Sequence, residues 1–166
     1  MQLRPLLSLL GSLVQNRQRP FFALIALTLA ALPVAPALPA EGGVSVDVTV
    51  TGLRNTKGRI IACMTSDESH FPRCRDVAGS YKANAAASDS VVLHFAGVVP
   101  GTYAIALLHD ENENGRADRA LTLIPREGFG FSRDAPVRMG PPNFEDAAFS
   151  VGSGTITQTI RMRYLL

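Results

Sequence analysis

From Val44 to Thr51 the chain alternates strictly, with Val44, Val46, Val48 and Val50 set against Ser45, Asp47, Thr49 and Thr51. Successive side chains of a strand point to opposite faces, so this period of two predicts a strand buried on one side. Gly52 to Gly58 reads as a turn and Arg59 to Met64 as a second strand, the pair forming an opening hairpin. Thr65 to Ser80 is polar and carries Pro72, which predicts a loop. Val91 to Phe95 and Thr102 to Leu108 predict strands joined by Ala96 to Gly101. There Pro100 presets φ and Gly101 supplies the permissive backbone of a tight turn. His109 to Pro142 predicts mostly loop with a short strand at Ala120 to Ile124, and Ala147 to Val151 with Thr155 to Met162 predicts a hairpin around Gly152-Ser153-Gly154. Beyond Gly43 no segment sustains a helical period. The expected fold is all-β, an antiparallel β-sandwich of about seven strands, with a small barrel as the alternative.

The first 40 residues have a different pattern. Arg17 and Arg19 precede an apolar run, Phe21 to Leu32, and Pro33 to Ala40 is rich in small residues and proline. Positive, apolar and small-residue regions in that order predict a cleaved secretory signal helix, with cleavage near Ala37 or Ala40. The apolar run is too short for a spanning segment, which needs about 20 residues. Residues 1–40 are therefore expected to be a signal peptide, and 41–166 a single domain with no membrane span, periplasmic or extracellular in location.

Removing the leader changes the charge picture. The whole chain carries 16 Lys and Arg against 14 Asp and Glu, but Arg4, Arg17 and Arg19 belong to the leader, so 13 basic residues face 14 acidic ones beyond Ala40, a net −1. Such a domain lacks the basic stripe that nucleic acid requires. Cys63 and Cys74 are the only cysteines, and an oxidising compartment makes a disulfide their expected state. A zinc site or a redox pair would need more ligands or a C-x-x-C spacing.

The segment with most chemical content is His109 to Asp118. Asp110, Asn112, Asn114 and Asp118 occupy positions 1, 3, 5 and 9 of a calcium-loop pattern, with Gly115 at position 6 and the Arg116 carbonyl as a further oxygen. Position 12 is Leu121 where an EF-hand has glutamate, so a calcium site must be completed from elsewhere, Glu127 being the nearest later carboxylate. Two asparagines lower the ligand charge, so affinity is expected to be weak but usable at millimolar calcium. The competing expectation is a metal-free turn in which Asn114-Gly115 reverses the chain and the side chains bond local amides.

The opening Val48 to Gly58, the Val99 to Ala104 turn, His109-Asp110 with Asn112, Asn114, Gly115 and Asp118, then Ile124 to Ser132 and Pro141 to Ala147, resemble the bacterial family named domain of unknown function 2141. The turn alone also resembles transthyretin-like sandwiches. The resemblance implies an exported sandwich with its matching residues clustered in the loops after the Thr102 strand. No nucleophile, base and orienting group assemble from the motifs present. The expected role is thus a non-enzymatic module binding an unidentified protein or small molecule. The alternative is a ligand binder or enzyme using His109 and Glu127 beside Phe129 and Phe131.

Overall fold

The computed structural model describes residues 43–120 and 124–166. The leader, Leu121 and the middle of the Ala120 to Ile124 segment lie outside the described residues.

Val44–Thr51 forms β1, Arg59–Thr65 β2, Tyr81–Ala86 β3, Val91–Val98 β4 and Gly101–Asp110 β5. Arg119–Ala120 (β6) and Ile124–Pro125 (β7) pair with each other, followed by Gly128–Phe131 (β8), a single helical turn α1 at Phe144–Ala147, Phe149–Val151 (β9) and Ile156–Arg161 (β10). One sheet has the order β10-β1-β4 and the other β3-β2-β5-β8, with β9 also on β5. The fold is all-β and sandwich-like, as the alternation predicts.

Alternation explains why the sheets face each other. Val46, Val48 and Val50 of β1 and Val91, Leu93 and Phe95 of β4 are buried, as are Ile60, Ala62 and Met64 of β2 and Tyr103, Ile105 and Leu107 of β5. A second, smaller core lies on the outer face of β5, where Ala104, Phe131, Ala135, Phe144 and Ala147 pack together. The Cys63–Cys74 disulfide ties β2 to the loop that follows it, as expected. Closing that ring is worth roughly 3 kcal/mol on the chain-entropy account. Gly130 leaves room for the terminal segment, since a Cβ there would sit 2.8 Å from Ile160, and one at Gly128 would strike the Tyr164 ring.

The pairings depart from the local hairpins. β1 pairs with β4 and β10 while β2 pairs with β3 and β5, so Gly52 to Gly58 crosses between sheets instead of closing a hairpin. The expected terminal hairpin is likewise absent: β9 joins β5, and β10 lies parallel to β1. Alternation specifies which face is buried, not which strand lies alongside, and connections of several residues can span the roughly 10 Å between packed sheets. Two strands carry little sequence signal. β3 (YKANAA) buries mainly alanine, and β8 (GFGF) is half glycine, a residue disfavoured in strands. Among the described residues no helix is long and apolar enough to cross a membrane.

Candidate functional site

β5 ends in two polar residues, His109 and Asp110, which the period of two sends to opposite sides, and Glu111, just after the strand, joins the His109 side. His109 is completely buried. Its Nε2 lies 2.8 Å from the Lys57 carbonyl and its Nδ1 2.7 Å from the Tyr164 hydroxyl. A carbonyl can only accept, so Nε2 carries a proton, and Nδ1 shares its hydrogen bond with the tyrosine hydroxyl. Both ring nitrogens are thereby engaged.

Glu111 extends this side of the strand. Arg54 Nε and Nη2 donate to its two carboxylate oxygens at 2.7 Å each, and Asn55 Nδ2 donates to one of them at 2.8 Å. Arg54 also bonds the Arg126 carbonyl and lies 4.6 Å from the centre of the Tyr164 ring. The Arg54 hydrogen bonds, with Asn55 assisting against burial, hold the Glu111 carboxyl down at about 2, and Glu111 raises Arg54 in return. Burial pushes the Tyr164 hydroxyl up. Arg54, Asn55 and Tyr164 escape the sequence reading because they lie 57, 56 and 55 positions from the partners they meet, Glu111 and His109 at the end of β5.

Asp110 faces the following loop and is also completely buried. Its Oδ1 accepts from the Asn114 amide at 3.1 Å and its Oδ2 from the Gly115 amide at 2.7 Å. Asn112 Oδ1 and Asn114 Oδ1 each accept from the amide two residues on, while their Nδ2 groups donate to Asp118 at 2.8 and 3.0 Å. Gly115 takes a φ of 72°, where a glycine is favoured. Glu127, 4% exposed, closes the loop from outside: Oε1 accepts from the Glu111 amide at 3.2 Å and Oε2 from the Asp118 amide at 3.1 Å. The loop thus brings Asp110, Asn112, Asn114, Asp118 and Glu127 together, with Arg116 contributing its backbone.

The electrostatics of this loop differ from those of the Arg54 cluster. Burial raises the Glu127 carboxyl, and the charges of Asp110 and Asp118 add to the rise, while backbone bonds oppose it. Asp118 is lowered by the Asn114 and then the Asn112 amide groups. Among the described residues, no basic nitrogen lies within 4.0 Å of the Asp110, Asp118 or Glu127 carboxylates. Nor, among those residues, do three His, Cys, Asp or Glu side chains converge as a ready-made metal site.

Phe129 and Phe131 turn to the outer core. Phe131 is buried and Phe129 half-buried, and the Phe131 ring meets Phe71 edge-on at 5.8 Å. His94 lies exposed on the sheet surface 2.9 Å from Asp47, and His70 is exposed beside Asp67.

No curated protein and no solved structure matches the chain. The family described as "Uncharacterized protein conserved in bacteria (DUF2141)" matches residues 48–159, which include the second half of β1, the whole acidic loop, β8 and most of β10. The chain belongs to that family of bacterial proteins.

Proposed function

We propose that the chain is exported and that its sandwich is a non-enzymatic binding or interaction module whose Asp110–Asp118 loop is stiffened by calcium. The observation that carries the metal reading is the gathering of Asp110, Asp118 and Glu127 around one loop with, among the described residues, no basic nitrogen within 4.0 Å of their carboxylates. Oxygen donors suit a hard cation, and the Asp110, Asn112, Asn114 and Asp118 side chains with the Arg116 carbonyl would supply them. Binding would replace the Asn112 and Asn114 contacts to Asp118 by shared contacts to the ion. Engagement of both His109 nitrogens supports the non-enzymatic side of the reading, and the Cys63–Cys74 bond suits an oxidising compartment.

Calorimetric titration with calcium, paired with thermal melts in chelator and in 5 mM calcium, tests the metal. A site in the range usual for extracellular modules adds about 1–2 kcal/mol at that concentration, enough to raise the melting temperature by roughly 3–8 °C. No heat and no shift reject it. Export is tested by the mature N-terminus in a bacterial host. Mass spectrometry should find chains starting after Ala37 or Ala40, and an uncleaved cytoplasmic chain rejects export.

A further inference from the structure

Between β8 and α1 the chain is pinned at two points: Val137 packs against the outer core and Pro142 is buried. Pro136, Pro141 and Pro142 fix φ at their positions and so restrict the backbone on both sides of the segment between them. Arg138, Met139 and Gly140 make up that segment, and all three are exposed. Met139 is fully exposed, whereas the other methionines among the described residues, Met64 and Met162, are 0% and 3% exposed inside the main core. Arg138, Met139, Asn143 and Asp146 border an open groove, so the thioether is reached directly from solvent.

That contrast in exposure decides what each thioether can do. A methionine sulfur is oxidised when an oxidant reaches its lone pair, and the sulfoxide it becomes is polar. In a core that product is a buried polar group without partners, so Met64 and Met162 are shielded for as long as the fold stays closed. At Met139 the added oxygen meets water, and no packing contact of the core is lost.

We propose that Met139 is a reversible oxidation site, which takes up two-electron oxidants such as hydrogen peroxide while the chain stays folded. The sulfur lone pair attacks one peroxide oxygen. An S–O bond forms, the O–O bond breaks, and the displaced hydroxide takes the proton of the transferred oxygen and leaves as water. Sulfur loses two electrons and the peroxide gains them. A methionine sulfoxide reductase reverses the step with two electrons from a dithiol, which becomes a disulfide as water is released, and the exposed side chain gives it access without unfolding. Each cycle switches this part of the groove rim between an apolar and a polar side chain.

Treatment of the folded chain with millimolar hydrogen peroxide, followed by peptide mass spectrometry, gives the rate at each methionine. Met139 should oxidise at least about tenfold faster than Met64 and Met162, and in urea the three should react within about threefold of one another, because unfolding removes the difference in exposure. After oxidation limited to Met139 the melting temperature should stay within about 2 °C of the native value. Sulfoxide reductases for both epimers, supplied with reduced thioredoxin, should return the Met139 peptide of the folded chain to its unmodified mass. A smaller rate ratio in the folded chain, a larger fall in melting temperature, or a sulfoxide that the reductases leave in place overturns the proposal. A tenfold ratio that persists in urea overturns it too, since the fold would then not be its source.

Discussion

Two polar clusters share the end of β5, and they solve the same electrostatic problem in opposite ways. The Arg54–Glu111–His109–Tyr164 cluster contains its own counter-charge. Its carboxylate is paired at both oxygens, and each His109 nitrogen has a partner. The Asp110–Asp118–Glu127 cluster, one residue away on the other side of the strand, holds carboxylates with amides alone. Amide dipoles stabilise a carboxylate but bring no net charge, so repulsion among the three persists. The first cluster carries its own counter-charge; the second would take one only from the proposed cation. Breaking each in turn should give different signatures.

The largest effect is expected at His109. His109→Leu keeps an apolar body of similar size but strands the Lys57 carbonyl and the Tyr164 hydroxyl, at a cost of about 3 kcal/mol. Tyr164→Phe, which keeps the ring under Arg54, should cost about 1 kcal/mol. Urea denaturation measures both. The double variant should cost less than the sum if the pair acts as a unit. Additive costs would break the description of a closed cluster.

Next comes the ion pair. Arg54→Ala removes two charge-assisted bonds and the stacking on Tyr164, and should cost about 2 kcal/mol at neutral pH. Its pH dependence is the sharper test. Glu111 sits at about 2 in the fold against an ordinary 4.5, a depressed value. Its contribution is therefore fully present above 4.5 and is lost as pH falls from there through about 2. Stability differences between the native chain and Arg54→Ala should shrink across that window. A constant difference would show that Arg54 acts by packing alone.

Disruption of the acidic loop ranks lower and responds to calcium. Asp110→Ala leaves the Gly115 amide without its acceptor and the Asn114 amide with Asn112 Oδ1 alone, and should cost about 1–2 kcal/mol. Unlike the Arg54 substitution, it should also abolish any melting shift on adding calcium. A shift retained in Asp110→Ala would remove that carboxylate from the metal reading.

How much of this the sequence reveals follows from the range of each signal. The faces of β1, β4 and β5 are legible because alternation is local. The acidic loop is legible because its residues lie within nine positions of one another. Even Glu127, which the loop spacing only suggests, arrives at the loop amides. The Arg54 cluster is illegible for the same reason: it is assembled by the fold from the first turn, the end of β5 and the terminal segment. Strand partners fail likewise, since the parallel β1–β10 pair joins segments about 110 residues apart. The Phe129 and Phe131 rings, read as a candidate ligand surface, lie against a second core that α1 and the Phe71 loop build on the outer sheet face.

The smallest expected effect tests the comparison most closely, because its sign is opposite to that at Glu111. Glu127 is raised above 4.5 in the fold, chiefly by burial. Its favourable contribution is therefore present below 4.5 and is lost as pH rises through the folded value. Glu127→Gln stays neutral at every pH, so relative to the native chain it should gain stability as pH rises through the folded value. One acceptor is lost, because the glutamine NH2 meets an amide hydrogen, and this adds a constant offset without altering the slope. Calcium should reverse the ranking: a bound ion favours the ionised carboxylate, so the native chain gains and the variant gains less. A slope matching that of Glu111, or an equal response to calcium in both proteins, would mean that Glu127 only clamps the loop backbone and that the two clusters are electrostatically alike.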